Sequence, residues 1–219
     1  MKLPTVSGGT GPRFLRHIGI AAPLLVPDVR IDDIAPMLPS SIPGLSSGQR
    51  AFETLRYLPD GSENPDFVLN QDPYRSASIL LAGDNFGTGG GSAVEAAVTR
   101  LLAFGFRAVL APGFGPVFLG KSVSLGMVPV TLEEAATEEI AAQVVANPGM
   151  EVTVDLEEQV VGCHGAEPEA IAFTIDARAR NKLLLGLRDL EEMLQHRDKT
   201  RELRIQDRNM RPWLYGRGE

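Results

Sequence analysis

Cysteine is almost missing from this chain of 219 residues, which has only Cys163. One thiol excludes an internal disulfide framework, and it cannot supply the several thiolates that an iron–sulfur cluster or structural zinc takes. Any such cofactor is therefore expected to come from a partner chain. Histidine is scarce as well, and His17, His164 and His196 lie far apart with no metal-like companion at i+3 or i+4, so each reads as surface or core. Cys163 and His164 are the one juxtaposed thiol and imidazole, but neighbours on a strand point to opposite faces and form no nucleophile–base pair. There is no Gly-x-Ser-x-Gly elbow. No apolar run approaches the roughly 18 residues of a membrane span, and the start lacks the charged, apolar and small-residue order of a signal peptide. The expectation is a cytoplasmic protein with no membrane partner. Lysine and arginine are outnumbered 21 to 28 by aspartate and glutamate, and the net charge of −7 argues against a nucleic-acid partner.

What is present is glycine, concentrated in the stretch 78–111. Ile79 to Ala82 is an apolar run that enters a loop carrying Gly83, Gly87, Gly89, Gly90 and Gly91. Val94, Ala97, Val98, Leu101 and Leu102 then recur at helical spacing, Gly105 stops the helix, and Phe106 to Ala111 reads as a strand covered on both faces. This is a βαβ unit. Its glycine loop lets backbone approach a ligand, and free N–H groups at a helix start favour a carboxylate or phosphate. The dinucleotide fingerprint is incomplete, because Ser92 stands where its last glycine belongs, and no Gly-Lys-Ser/Thr closes a P-loop. Ser92 and Glu95 have the spacing of a capping box, so Ser92 reads first as a helix cap and second as a catalytic hydroxyl.

A hydrophobic content of 43% suits a packed globular core, in one large domain or two small ones. Residues 1–12 suggest a flexible N-terminus, 13–196 the folded domain and 197–219 a charged tail that is solvated or docks a partner. Between Phe14 and Val26 short strands are expected, confined to edges or ends by Pro23 and Pro27. Asp28 to Pro36 reads as a polar turn in which acids satisfy backbone N–H groups, with the turn reading of Asp32 and Asp33 ahead of metal binding. Residues 37–50 form a long loop, and loops of that length are often mobile or functional. Further on, a helix is expected from Val117 to Ser124, a strand at Val128 to Val130, and a helix opened by a second capping box at Thr131 and Glu134. A hairpin from Glu151 to Val161, a strand from Ile171 to Ile175 and two closing helices follow.

At Gly83-Asp84-Asn85-Phe86-Gly87-Thr88-Gly89 the chain resembles the small subunit of 3-isopropylmalate dehydratase, of the aconitase superfamily, whose loop reads Gly-Glu-Asn-Phe-Gly-Cys-Gly-Ser-Ser-Arg-Glu-His. Supporting stretches are His17-Ile18-Gly19, Asn64 to Asn70, Phe104 to Pro112, Leu125 to Val130, Asn147-Pro148-Gly149 and Phe173 to Asp176. The resemblance implies an α/β fold, a swivelling β/β/α domain with a central βαβ unit and added β hairpins. It implies docking on a separate dehydratase large subunit that carries a [4Fe–4S] cluster, with no cofactor in this chain. It also implies a small diacid substrate, reversibly dehydrated and rehydrated on the way to leucine. Such a step needs a base, a Lewis acid on the leaving hydroxyl and donors for two carboxylates.

The family's loop supplies a base serine and a carboxylate-binding arginine from Gly-Ser-Ser-Arg. Here Gly90 and Gly91 align with the two serines and Ser92 with the arginine. The early motif Asn-Val-Asp-Thr-Asp-x-Ile-Ile-Pro becomes Asp28-Val29-Arg30-Ile31-Asp32-Asp33-Ile34-Ala35-Pro36, which keeps Asp32 and Pro36. The resemblance thus makes Ser92 the candidate catalytic residue, as a displaced base, and Asn85, Gly87, Thr88, Gly89, Gly90, Gly91 and Asp32 the candidate substrate-binding residues. Three functions fit: an active dehydratase small subunit, a subunit of a hydro-lyase for another diacid, and a catalytically silent paralogue that binds and regulates a large subunit.

Overall fold

The structure is a computed structural model that describes residues 9–37, 42–165, 170–195, 197–211 and 214. Residues 1–8 of the expected flexible start, loop residues 38–41, His196 and residues 215–219 of the tail lie outside the described residues.

Seven strands make one mixed sheet: β1 (Arg16–Leu24), β2 (Ile79–Ala82), β3 (Ala108–Ala111), β4 (Val128–Thr131), β5 (Glu151–Asp155), β6 (Val160–Cys163) and β7 (Ile171–Ala172). Their order is β4-β3-β2-β1-β5-β6-β7, which puts β1 in the centre rather than at an edge. The first half of β1, Arg16 to Ile20, pairs antiparallel with β5, and the second half, Ala21 to Leu24, pairs parallel with β2. Pro23 is tolerated there because it lies beyond Ile20, where the pairing with β5 ends. The strands β1 to β4 form the parallel half, and β5 to β7 the antiparallel half.

Alternate residues of the parallel strands enter two separate cores. Leu80, Ala82, Val109 and Ala111 pack on one face with Phe52, Phe86, Val98 and Leu101. Ile79, Leu81, Ala108 and Leu110 pack on the other with Ile140, Val144, Val154 and Leu183. Burial on both faces explains why these strands are unbroken apolar runs without alternation. The βαβ unit is thus β2, α3 (Ala93–Phe104) and β3, with Gly105 ending the helix at a φ of 130°.

Neither expected capping box forms. Ser92 precedes α3 in helical geometry with φ −70° and ψ −17°, and its hydroxyl makes no cap hydrogen bond. Glu95 instead reaches Lys121 on α4 (Pro116–Leu125) at 3.1 Å. Thr131 stays in β4 and bridges Thr174, so α5 (Glu134–Ala146) starts after Glu133. A cap needs an extended residue directly before the helix; Ser92 is helical, and Thr131 lies two residues before the N-cap Glu133.

Two short helices precede the sheet's second strand: α1 (Ile31–Ile34) and α2 (Glu53–Arg56). Arg56 is buried, donating from Nε to Asn70 Oδ1 at 2.9 Å and lying 5.2 Å from the Phe104 ring centroid. Asn70 Nδ2 donates to the carbonyls of Arg56 at 2.7 Å and Asn64 at 2.8 Å. Asn70 thereby fastens the Asn64 to Asn70 stretch to α2.

At the other end, Asp176 caps α6 (Ala177–Leu185) by accepting from the N–H groups of Arg178 and Ala179. The buried Lys182 ammonium meets the carboxylates of Asp189 and Glu192 on α7 (Asp189–Gln195), and Glu192 also holds Arg178. Glu191 accepts from the N–H groups of Thr10 at 3.0 Å and Arg188 at 2.8 Å. Gly9 and Gly11 donate to the carbonyls of Leu185 and Gly186, both at 2.9 Å, so the start of the chain is tied down from Gly9 onward. The charged tail continues as α8 (Arg197–Met210), exposed at Leu203, Ile205 and Met210. Among the described residues no helix is long and apolar enough to cross a membrane.

Candidate functional site

Three connections meet at the carboxyl end of the parallel strands. The segment after β1 takes a sharp bend at Asp28, whose φ is 57°, and Asp28 donates its N–H to the carbonyl of Asp84 at 2.9 Å. Val29 then accepts from the N–H groups of Gly87 at 2.8 Å and Thr88 at 3.2 Å, and Ile31 donates back to the Thr88 carbonyl at 2.8 Å. Arg30 and Thr88 are thereby register partners in a short parallel bridge. From the far side, Phe86 donates to the Gly113 carbonyl at 3.0 Å and accepts from Gly115 at 2.9 Å. The glycine loop is a braced turn between two other loops.

Side chains complete the brace. Phe86 is fully buried and meets the Phe118 ring edge-on, with centroids 5.3 Å apart. Val29, Ile31 and Ile34 are buried on the inner side of the early loop, which leaves Arg30 and Asp32 exposed on the outer side. Asn85, at a φ of 56°, donates from Nδ2 to Asp28 Oδ1 at 3.1 Å, and Asp33 accepts the Arg30 N–H at 2.8 Å. This is the acid-to-backbone bonding that the composition of the turn suggests.

The candidate residues divide into two groups. Asn85, Gly87 and Thr88 belong to the brace, with the Gly87 and Thr88 N–H groups spent on Val29. Gly89, Gly90, Gly91 and Ser92 are exposed beyond it. Among the described residues their N–H groups have no bond outside the helical ladder, and open space surrounds the positions a Cβ would take at Gly90 and Gly91. Ser92 is exposed, and among the described residues its hydroxyl has no hydrogen-bond partner. Asp32 stands on α1, two residues beyond Arg30 in the same segment. The sequence suggests turns at Asp28 to Pro36 and at Pro112 to Pro116, but not their pairing with the glycine loop, since contacts such as Asn85 to Asp28, 57 residues apart, leave no local signal. A lone arginine at position 30 among three aspartates was the one visible clue on the early loop.

Two family descriptions match the chain: Aconitase C-terminal domain over residues 14–135, and LeuD_N over 138–177. The small subunit of 3-isopropylmalate dehydratase of Marinobacter nauticus is 37% identical over 94% of this chain and 98% of its own length. Those of Methylibium petroleiphilum and Rhodospirillum rubrum are 38% identical, each over 92% of this chain and 96% of their own. The chain belongs to the 3-isopropylmalate dehydratase small-subunit family. The crystal structure of 3-isopropylmalate dehydratase (LeuD) from Methanocaldococcus jannaschii is 19% identical, covers 86% of this chain and 99% of its own, and superposes with a TM-score of 0.60. The likeness in fold places this member of the family in the aconitase-type swivelling α/β class.

In this small-subunit family member the described thiol and imidazole groups lie away from the glycine loop. Cys163 is buried on β6, where desolvation and then Glu139 push its thiol up, away from the thiolate that metal ligation needs. Among the described residues no three histidine, cysteine or acidic side chains converge as metal ligands. The donors among the described residues do not fit an iron–sulfur cluster. His164 Nε2 and Thr153 Oγ1 are 2.9 Å apart across the hairpin, and His17 Nε2 lies 2.7 Å from Ser78 Oγ. Burial, then Arg107, lowers the His17 pKa and so favours the neutral imidazole.

Proposed function

We propose that this chain is the small subunit of a two-chain hydro-lyase that takes 3-isopropylmalate or a closely related diacid. A separate large subunit, on this reading, carries the [4Fe–4S] cluster and its Lewis-acid chemistry, and this chain covers the site. The observation that carries the proposal is near end-to-end identity of 37–38% to proteins named 3-isopropylmalate dehydratase small subunits. It is supported by a braced glycine loop whose outer arc, Gly89 to Ser92, turns unpaired N–H groups to solvent.

The work of this chain is positioning. N–H donors of Gly89, Gly90 and Gly91 bond one carboxylate of the diacid, at an arc where absent side chains let the ligand approach the backbone. The brace from Asn85 to Thr88 and the early loop with Asp32 keep that arc in place. Ser92 closes the arc, and its proposed part is to take up the carbon-bound proton as a displaced base. One feature favours a second reading, a silent paralogue that regulates a large subunit: Ser92 has no hydrogen-bonded group among the described residues to activate it.

Co-purification with the large subunit of the same organism, followed by an ultraviolet assay of the unsaturated intermediate, tests both. 3-Isopropylmalate is assayed beside citramalate and citrate. Turnover that needs both chains supports the hydro-lyase reading, and the preferred diacid settles the substrate. A stable complex without turnover on any of them supports the regulatory reading. Failure of the two chains to associate would sink both.

A further inference from the structure

We infer that Arg30 is the side chain of this chain that, beside the N–H donors of the arc, binds a substrate carboxylate and sets the preference for a diacid; the inference rests on the hydro-lyase reading above. A dianionic ligand at the glycine arc meets a local field of the wrong sign. Asp28, Asp32 and Asp33 flank the early loop, Asp84 opens the glycine loop, and residues 83–92 hold no lysine or arginine. Uncompensated, these carboxylates repel a diacid before any N–H group can bond it.

Only two basic residues occur in the segments that build the site, residues 24–37, 83–95 and 112–121. Lys121 is bound to Glu95 at 3.1 Å. Arg30 is exposed, and among the described residues its guanidinium makes no hydrogen bond or ion pair. Its backbone position is fixed from three sides: by its N–H on Asp33 at 2.8 Å, by Ile31 on Thr88 at 2.8 Å, and by Val29 under Gly87 and Thr88. The bridge sets Arg30 level with Thr88, the residue at which the braced turn gives way to the open arc. With Val29 and Ile31 pointing into the core, the residue between them points out. A guanidinium there presents paired N–H donors to a carboxylate, a geometry that neither serine nor glycine reproduces.

The test uses the assembled two-chain enzyme with Arg30→Gln and Arg30→Lys. Arg30→Gln should raise KM for 3-isopropylmalate at least tenfold with a smaller change in kcat, and Arg30→Lys should fall between. The ratio of kcat/KM for the diacid to that for its monoester should collapse in Arg30→Gln, a readout that a merely structural role does not move. Adding Ser92→Arg to the Arg30→Gln enzyme should recover part of the lost affinity by returning a cation to the other loop. Far-ultraviolet circular dichroism melts of the variants should match the wild type. Calorimetric titration of the wild-type assembly with 3-isopropylmalate separates this inference from the reading beneath it. Binding that Arg30→Gln weakens tenfold, without turnover, keeps the carboxylate site and removes the hydro-lyase activity. Turnover with KM and the diacid ratio within threefold of wild type in Arg30→Gln overturns the role of Arg30, and so does absence of diacid binding to the wild type.

Discussion

Replacing Gly87 by alanine should destabilise the protein far more than replacing Gly90, although the two glycines are three residues apart in one loop. Gly87 has a φ of 74°, and a Cβ built there would lie 2.4 Å from Phe118 Cγ and 2.8 Å from Phe118 Cβ. Left-handed backbone costs a residue with a Cβ about 1–2 kcal/mol. Phe118 is fully buried against Phe86 and cannot swing away, so overpacking adds roughly 1–3 kcal/mol. Together Gly87→Ala should lose about 2–5 kcal/mol, which for a domain of this size lowers Tm by roughly 4–20 °C. Gly90 has no positive φ and nothing within 4 Å of the added carbon, so Gly90→Ala should stay within about 0.5 kcal/mol of wild type. Urea unfolding followed by circular dichroism measures both. A Gly87→Ala protein as stable as wild type would refute the braced loop. A Gly90→Ala protein of normal stability but lowered turnover in the two-chain assay is the expected companion result.

Asn70→Ala removes the acceptor for a buried arginine and the donor to two carbonyls, and should cost about 2–4 kcal/mol in equilibrium unfolding. A loss below 1 kcal/mol would mean that water replaces the amide. Ser92→Ala should change stability by less than about 0.5 kcal/mol, since the hydroxyl caps nothing, whereas a working cap would cost about 1 kcal/mol. Acid should loosen the closing helices first. Arg178 bonds Glu192 and Lys182 bonds Asp189, holding both carboxyls below their ordinary range. That contribution is complete above the unfolded carboxylate value near 4 and disappears as pH falls through the lower folded values. Unfolding between pH 6 and pH 2.5 should show a shallower acid loss in Lys182→Met than in wild type. An unchanged slope would remove this cluster from the acid response.

The elements that could be read from the sequence are those whose signal is local. β2, α3 and β3 announce themselves because a run of apolar residues, a glycine cluster, a 3.6-residue period and a stop at Gly105 all fall within 34 residues. The hairpin of β5 and β6 and the helix ended by Gly126 were legible for the same reason. The caps were not, since Ser-x-x-Glu spacing states a possibility and tertiary contacts decide it. Glu95 is taken by Lys121, and Thr131 by the ladder. Pro23 was legible as a strand-end residue, being the last but one of β1, but its local signal could not show that β1 is the central strand. At the site, the open arc could be read from its glycines, while the clamp of the early loop on Gly87 and Thr88 could not. It joins segments far apart in the chain, and the main-chain atoms that form it carry no residue signature.

The divided pairing of β1 has a consequence for how the chain is made. Its partners are synthesised at very different times: β2 emerges about 55 residues later, and β5 only after residue 150. During synthesis at roughly 5–20 residues per second, the stretch from Arg16 to Ile20 therefore waits for many seconds with its outer hydrogen-bonding edge vacant. A nascent chain that has completed β1 to β4 is an open parallel sheet with its future central strand at the border, the state most prone to pairing with a neighbour. Ribosome-released fragments ending between residues 132 and 150 should accordingly aggregate or bind holdase chaperones, and extension through residue 163 should release them.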